Sequence, residues 1–196
     1  MFQRRLLTLS SLVLATILAI ALLPLVVITA LLMSLSPKFR TAPQALTFIY
    51  GFLVHEWAGL ARFLFVLTRY PKNQQMEKNR DIQFWWAQQL FDMGKRLYKL
   101  RIEVTGTEAL EGNCALLLSR HSSMGDTVLP LLFFGKARAE GLRYVLKQEL
   151  RYLPCLDIGG HRLPNVFVDR SGTDSAKAIQ EVSDLIATAG DDLSLI

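Results

Sequence analysis

A histidine and an aspartate lie five positions apart where two apolar runs meet. His121 and Asp126 lie between the apolar stretch 114–119 and the next one, 127–134. An imidazole can take a proton from a hydroxyl near neutral pH when a carboxylate fixes its tautomer and stabilises the imidazolium. A tight turn into a helix would bring Asp126 back to the ring, whereas a straight strand would hold the two apart. The pair is a candidate general base with its orienting acid; the alternative is a polar loop whose aspartate caps a helix.

The segments around this pair predict an α/β domain. Four apolar segments have the pattern of strands: 101–106, 114–119, 142–147 and 165–170. Residues 174–190 predict a well-formed helix. Strands that alternate with helices favour a mixed, largely parallel sheet, in which ligands bind at the carboxyl ends of strands. The last residues, 191–196, resemble the start of a further buried strand, so we expect a domain that is truncated at its C-terminus.

The N-terminal third of the chain predicts a membrane anchor. Residues 6–37 contain no charged side chain, and this run exceeds the ~20 residues that cross a bilayer as a helix. It is also about twice as long as the ~7–15 residues of a signal-peptide core, which argues against cleavage. A second apolar stretch, 45–70, is interrupted by His55, Glu56 and Arg62, which are costly in hydrocarbon unless they are paired or face protein. It either completes a helical hairpin or lies partly in the membrane interface.

The distribution of basic residues favours a cytoplasmic domain. A hairpin would return the basic residues that follow position 68 to the side of Arg4 and Arg5, although Lys38 and Arg40 in the connecting loop weaken this bias. We therefore expect the inner, cytoplasmic membrane, with the α/β domain facing the cytoplasm. The polar, turn-prone stretch 71–81 predicts the boundary between anchor and domain.

The segment that follows this boundary predicts an amphipathic helix. Its apolar residues, Trp85 and Trp86 among them, recur near helical period, and basic residues gather at its end. Such a helix either lies on the lipid headgroups with its tryptophans at the interface or packs on protein as an ordinary amphipathic helix.

The amino-acid composition limits which partners and cofactors we expect. The 51% of hydrophobic residues indicates contact with lipid, and the net charge of +5 suits an anionic membrane or a phosphorylated substrate. Nucleic acid is disfavoured because the basic residues border apolar segments and no aromatic-basic recognition motif is present. Cys114 and Cys155 form no CxxC pair and have no set of histidine ligands beside them, so we expect buried, reduced thiols and no metal.

Three blocks in order resemble the glycerolipid acyltransferases of the lysophosphatidic acid acyltransferase (PlsC-like) family, which carry an H-x4-D motif. The blocks are Arg120-His121-Ser122-Ser123-Met124-Gly125-Asp126; Lys147-Gln148-Glu149-Leu150 with Pro154 and Gly159; and Val166-Phe167-Val168-Asp169-Arg170-Ser171. The resemblance implies an anchor over residues 1–70 and an α/β acyltransferase domain over residues 71–196.

The resemblance also implies the reaction. A fatty acyl group would move from a thioester, acyl-CoA or acyl carrier protein, to the free hydroxyl of a lysophospholipid. His121 would act as the general base and Asp126 would orient it, with no acyl-enzyme and no bound cofactor. We expect lysophosphatidic acid as the acceptor and phosphatidic acid as the product.

Five further residues carry over as substrate-binding candidates: Arg120, Ser123, Lys147, Glu149 and Arg170. Arg170 would neutralise the acceptor phosphate; a surface ion pair is the alternative. Lys147 would add positive charge near a substrate phosphate, or else is a solvated lysine, and Glu149 would orient neighbouring loops. His161 is interpreted as a turn histidine without a catalytic role.

The chain departs from the family pattern in two places. Arg120 stands where the family has asparagine, so the acceptor is either lysophosphatidic acid or another lyso-lipid or acylated amino-acid lipid. A fourth family block, Pro-Glu-Gly-Thr-Arg, would follow the strand at 193–196, and the sequence stops before it. A membrane-anchored lipid-binding domain of the same fold without turnover is therefore the alternative from another functional class.

Overall fold

A computed structural model describes residues 2–106, 108, 124–135, 142–169, 175–187 and 194–195. This part of the chain is mostly helical, with a small parallel sheet. The α-helices are α1 (Phe2–Ser34), α2 (Ala42–Arg69), α3 (Lys72–Tyr98), α4 (Pro154–Arg162) and α5 (Ser175–Ala187). The strands are β1 (Leu142–Arg143), β2 (Val145–Lys147), β3 (Val166–Val168) and β4 (Ser194–Leu195).

Helices α1 and α2 form an antiparallel hairpin. The indole N–H of Trp57 donates to the hydroxyl of Thr16 at 2.9 Å, and the hydroxyl of Tyr50 donates to the carbonyl of Ala19 at 2.5 Å. Residues later in α2 therefore contact residues earlier in α1, which is the antiparallel arrangement. By length and composition both helices can cross a membrane, and most of the outer surface of α1 is exposed and apolar. The hairpin, one of the two arrangements left open by the sequence, suggests membrane association.

Helix α3 packs along α2 through an apolar face. Ile82, Trp86 and Leu90 are buried there in one cluster with Phe63 and Val66 of α2. The two tryptophans thus have different environments: Trp86 is buried, whereas Trp85 is half-buried, with the guanidinium of an α2 arginine 3.9 Å from its ring centroid. The packing of Trp86 agrees with the second expectation for this segment, an amphipathic helix that packs on protein.

The turn-prone structure predicted for 71–81 is wrong, and the domain boundary placed there stays a prediction. Helix α3 already begins at Lys72, directly after Pro71, whose extended backbone occupies the N-cap position. The polar residues in this stretch are mostly good helix formers, and Asn79 is buried against the rest of the fold, so tertiary packing continues the helix through it. The anchor and the segment that follows it are joined by one short bend at Tyr70 and Pro71.

The sheet consists of two parallel strand pairs. Strand β2 pairs with β3, and β1 pairs with β4. The two pairs meet at Tyr144, whose carbonyl accepts a hydrogen bond from the N–H of Val166 at 2.9 Å. These strands confirm the predictions for 142–147, 165–170 and the last residues, and α5 confirms the predicted helix.

One predicted strand is absent from the structure, and another lies outside the described residues. Residues 101–106 form no strand, and Ile102 and Val104 are both exposed. Alternation of apolar residues is insufficient here, because the structure pairs this segment with no other described strand. The apolar stretch 114–119 is not among the described residues.

Helix α4 joins the hairpin to the sheet through close contacts at glycines. A Cβ on Gly59 would lie 2.5 Å from the sulfur of Cys155, and one on Gly159 would lie 2.9 Å from the ring of Phe63. On the side of the sheet, a Cβ on Gly160 would lie 2.5 Å from the ring of Phe167. The backbone of α4 therefore approaches both neighbours more closely than a residue with a side chain allows.

Candidate active site

Asp126 lies in a 3-10 turn, Met124–Thr127, that runs into a helical segment ending in the π-helical turn Leu131–Gly135. Leu131 and Leu132 are buried with Tyr144 and with Ala87 of α3. This packing fixes the turn against α3 and the sheet and leaves the Asp126 side chain partly exposed. The described end of the first block, Met124–Asp126, therefore lies in a turn that leads into a helical segment. His121, Arg120 and Ser123 lie outside the described residues, so the pairing of His121 with Asp126 stays a prediction.

The sheet brings the second and third blocks together. In the parallel register of β2 and β3, Lys147 is the partner of Val168, so both strands end at the same edge. Asp169 follows Val168 at this edge. The carboxyl edge of a parallel sheet is where open α/β folds bind their ligands. Arg170 is the next residue along the chain and lies outside the described residues.

Lys147 and Glu149 form an exposed ion pair at this edge. Their charged atoms are 3.3 Å apart, and their side chains are 53% and 59% exposed. An exposed ion pair of this kind contributes about 0–1 kcal/mol, so an anionic ligand can replace Glu149 as the partner of Lys147 at little cost. The second block therefore places a positive charge in solvent beside the end of β3.

Arg151 ties the second block to the third, a role that the sequence analysis did not predict. Its guanidinium donates to the carbonyl of Phe167 at 3.1 Å and lies 5.1 Å from the centroid of that ring. The residue belongs to the 3-10 helix Gln148–Tyr152, which follows β2 directly. Its position between Glu149 and Pro154 of the second block was the available signal.

Asp157 is a second residue that the sequence analysis missed. It is 1% exposed, lies in α4, and accepts hydrogen bonds from Arg4 at 2.5 Å and Arg5 at 2.8 Å. The interpretation of His161 as a turn histidine is wrong: it lies in α4, and its Nδ1 is 3.2 Å from the Asp157 carboxylate. The spacing of four residues between Asp157 and His161 places both on one helix face and was the signal that could have paired them.

Glu56, one of the three interruptions of the second apolar stretch, faces protein, whereas Arg62 is exposed. Its side chain is fully buried, and Oε2 accepts the backbone N–H of Cys155 at 3.1 Å in the first turn of α4. No side chain caps α4 from its own N-cap residue, Leu153, so this carboxylate supplies the missing acceptor. The Cys155 thiol donates in return to the carbonyl of Glu56 at 3.1 Å. Desolvation by burial, with the nearby Glu56 charge, raises the pKa of this thiol well above its usual range.

One buried and two half-buried side chains hold the strands beside this edge. The side-chain oxygen of Asn165 accepts the N–H of Tyr144 at 2.8 Å, where the two strand pairs meet. Arg143 donates to the carbonyl of Leu185 at 3.2 Å and so connects β1 to α5. Burial raises the pKa of the Tyr144 phenol and lowers that of Arg143. These groups support the strands and do not lie at the carboxyl edge.

Comparison with known proteins identifies the region that contains this edge. Residues 101–192 match the Acyltransferase family model. This stretch therefore matches the acyltransferase domain of the family that includes the PlsC-type glycerolipid acyltransferases. The domain spans all three sequence blocks, from His121 to Arg170. Searches of curated proteins and of solved structures gave no significant match.

Within the acyltransferase domain, the α/β prediction holds in part. The described strands are parallel, and α4 and α5 pack beside them, as expected for this class. Helices dominate the described chain as a whole because α1, α2 and α3 account for most of it.

Proposed function

We propose that this protein transfers a fatty acyl group from a thioester to the free hydroxyl of a lysophospholipid, with 1-acyl-sn-glycerol-3-phosphate as the acceptor and phosphatidic acid as the product. The observation that carries the proposal is the match of residues 101–192 to the acyltransferase family, with His121-x4-Asp126 inside the matched range. The match supports acyl transfer in general, and the motif supplies the residue types that such a transfer needs.

In the proposed reaction, His121 takes the proton of the acceptor hydroxyl while Asp126 holds the ring and stabilises the imidazolium. The hydroxyl oxygen attacks the thioester carbonyl carbon and forms a tetrahedral intermediate. The carbon–sulfur bond then breaks, the ester forms, and the departing thiolate receives the proton from the imidazolium. The acceptor attacks directly, so the proposal needs no covalent acyl-enzyme. The thiol released is coenzyme A or acyl carrier protein.

Binding of the acceptor phosphate is assigned to Lys147 and Arg170. The strand register supports this assignment, because Lys147 ends β2 beside the end of β3, two residues before Arg170. An arginine fork suits bidentate binding of phosphate oxygens, and a lysine adds a flexible point charge. Glu149 competes with the phosphate for Lys147 and so keeps that side chain at the edge when no substrate is present.

The membrane setting suits such a reaction. A lipid acceptor stays in the bilayer, whereas the thioester donor arrives from the aqueous phase, so the domain must sit at headgroup depth. The apolar hairpin supports membrane anchoring, and Arg4 and Arg5 attach the start of α1 to α4 of the domain. We propose the cytoplasmic membrane, with the domain on the cytoplasmic face, because the end of the hairpin that contacts the domain also carries Arg69 and Lys72.

Arg120 supports a second candidate acceptor. An arginine beside His121 adds a fixed positive charge, which favours a lyso-lipid with a further anionic group or an acylated amino-acid lipid. Substitution Arg120→Asn, followed by ranking of acceptors, distinguishes the two candidates. A change in the ranking assigns Arg120 to the headgroup, and an unchanged ranking led by lysophosphatidic acid rejects the second candidate.

The proposal is tested by identifying the product. The purified protein in detergent is given an acyl-CoA and a panel of lyso-lipids, and diacyl products are quantified by mass spectrometry. We expect phosphatidic acid from the wild type and none from His121→Ala. The control Asp184→Asn removes a carboxylate that accepts from Gln180 on exposed α5 and should keep full activity. Product formation by His121→Ala at the wild-type rate would reject the assignment of the base.

A further inference from the structure

Cationic side chains gather around one buried carboxylate where α1 begins against α4. Arg4 and Arg5 both donate to Asp157, and His161 lies against the same carboxylate with its Nδ1 3.2 Å away. We call Arg4, Arg5, Asp157, His161 and Arg162 the basal cluster. It lies at the base of the hairpin, on the side that contacts the acyltransferase domain.

Arg162 contributes a third guanidinium to this cluster without a carboxylate of its own among the described residues. It donates to the carbonyl of Phe63 at 2.7 Å and to the side chain of Asn79 at 3.5 Å. Burial lowers the pKa of Arg162, and the nearby charge of Arg5 lowers it further. The three arginines and the one aspartate of the cluster leave an excess of two positive charges.

The cluster retains hydrogen-bonding capacity and is open to one side. The Nε of Arg4 is buried and has no hydrogen-bond partner among the described residues. The Arg4 and Arg5 side chains are nevertheless 25% and 31% exposed, so a ligand can reach them. Excess positive charge in a partly desolvated site is stabilised by an anion, and the guanidinium fork fits phosphate oxygens in pairs.

The surface beside these arginines is apolar. Phe2, Leu6 and Leu7 lie on the same turns of α1 and are 79%, 57% and 68% exposed. A phosphate bound to the arginines would therefore have lipid-facing side chains next to it, where acyl chains can lie. A free phosphate ion would make no contact with the apolar side chains. A phospholipid carries a charged phosphate next to acyl chains, which matches arginines next to an apolar surface.

We propose that Arg4, Arg5 and Arg162 bind the phosphate of an anionic membrane phospholipid at the base of the hairpin. This lipid is not the acceptor, which is assigned to the carboxyl edge of β2 and β3. It bridges α1 and α4 and holds the acyltransferase domain against the anionic membrane surface. The inference stands on the geometry of the basal cluster and does not depend on the reaction proposed above.

The test measures binding of a short-chain anionic phospholipid to the full chain in uncharged detergent. The probe is dihexanoyl phosphatidylglycerol, compared with dihexanoyl phosphatidylcholine and with inorganic phosphate. At about one hundred times its dissociation constant, the anionic lipid should raise Tm by roughly 5–10 °C. An equal shift by phosphatidylcholine or by inorganic phosphate would overturn the proposal, because the site would then lack selectivity for an anionic lipid.

Matched variants locate the site. The double variant Arg4→Gln/Arg5→Gln and the control Lys38→Gln/Arg40→Gln each remove two positive charges, but at opposite ends of the hairpin. We expect the first to weaken binding at least roughly tenfold and the control to leave it unchanged. Equal effects of the two pairs, or undiminished binding by the first, would contradict the proposal.

Folding of the variant is controlled separately. Loss of both arginines leaves the buried Asp157 carboxylate without its arginine partners. The triple variant Arg4→Gln/Arg5→Gln/Asp157→Asn also removes this buried charge, and it replaces the double variant if the double variant unfolds. This triple variant should melt cooperatively and still lack the shift with phosphatidylglycerol. A normal shift in the triple variant would also overturn the proposal.

Discussion

Gly160 lies where α4 crosses β3, and substitution by alanine tests how closely the two elements pack. The new Cβ would lie 2.5 Å from Cζ and 2.8 Å from Cε2 of Phe167. Carbon atoms pack best at about 3.5–4.0 Å, so the ring would have to move by roughly 1 Å. The ring is 4% exposed, stacks on His161 at 4.9 Å and has Arg151 5.1 Å from its centroid, which leaves it little room.

The magnitude follows from a comparison with Gly94. A Cβ there would meet its nearest neighbour, the ring of Phe48, at 3.6 Å, an ordinary contact. Both glycines lie within the last five residues of an α-helix, so alanine adds a similar propensity gain of about 0.5–1 kcal/mol at each. The difference between the two variants therefore isolates the overpacking cost of about 1–3 kcal/mol.

The assay is thermal unfolding in detergent, followed by near-ultraviolet circular dichroism. At roughly 2–4 °C per kcal/mol for a chain of this size, Gly160→Ala should melt about 2–12 °C below Gly94→Ala. Equal melting temperatures, or a higher value for Gly160→Ala, would refute the close packing of α4 on β3.

Three further predictions concern the site and its surroundings. Asp126→Asn should lower turnover by roughly 10²–10⁴-fold, because it removes the orienting carboxylate; unchanged initial rates would contradict this role. Lys147→Gln should raise the KM for a phosphorylated acceptor by roughly tenfold or more, as measured by initial rates. Glu149→Gln should change the free energy of unfolding by less than about 1 kcal/mol, as measured by denaturant titration. An acceptor KM unaffected by Lys147→Gln would remove that lysine from the phosphate site. Because burial raises the pKa of the Cys155 thiol, a variant with this single cysteine should resist maleimide at pH 8 until it is unfolded, and rapid labelling of the native protein, read by mass spectrometry, would contradict its burial.

The sequence was sufficient to predict elements of the fold where the local residue pattern and the tertiary context agree. The charge-free run at 6–37 could form little other than a long helix, and the β-branched and aromatic residues at 166–168 favour the strand that the structure contains. The turn after Asp126 followed from polar residues between apolar runs, and the parallel pairing followed from strands alternating with helices. The helix, the strand and the turn depend on neighbours within a few residues, whereas the parallel pairing follows from the order of the elements along the chain.

The sequence was insufficient where residues far apart in the chain determine the local structure or the contact. Ile102 and Val104 alternate as in a strand, but an alternating segment becomes a strand only when another strand accepts its hydrogen bonds. The polar stretch at 71–81 becomes helix because α3 packs on α2. The ion pairs of Arg4 and Arg5 with Asp157 join residues more than 150 positions apart, and no local pattern reports such a contact.

The central claim is acyl transfer with His121 as the base, and release of free thiol from an acyl-CoA tests it most directly. The thiol is measured in detergent before and after lysophosphatidic acid is added, for the wild type and for His121→Ala at equal folded concentration. The account predicts acceptor-dependent release by the wild type and none by His121→Ala. Acceptor-dependent release that is equal in the two proteins would contradict the assignment of His121, and no release from the wild type with several thioesters and lyso-lipids would contradict the proposed acyl transfer itself.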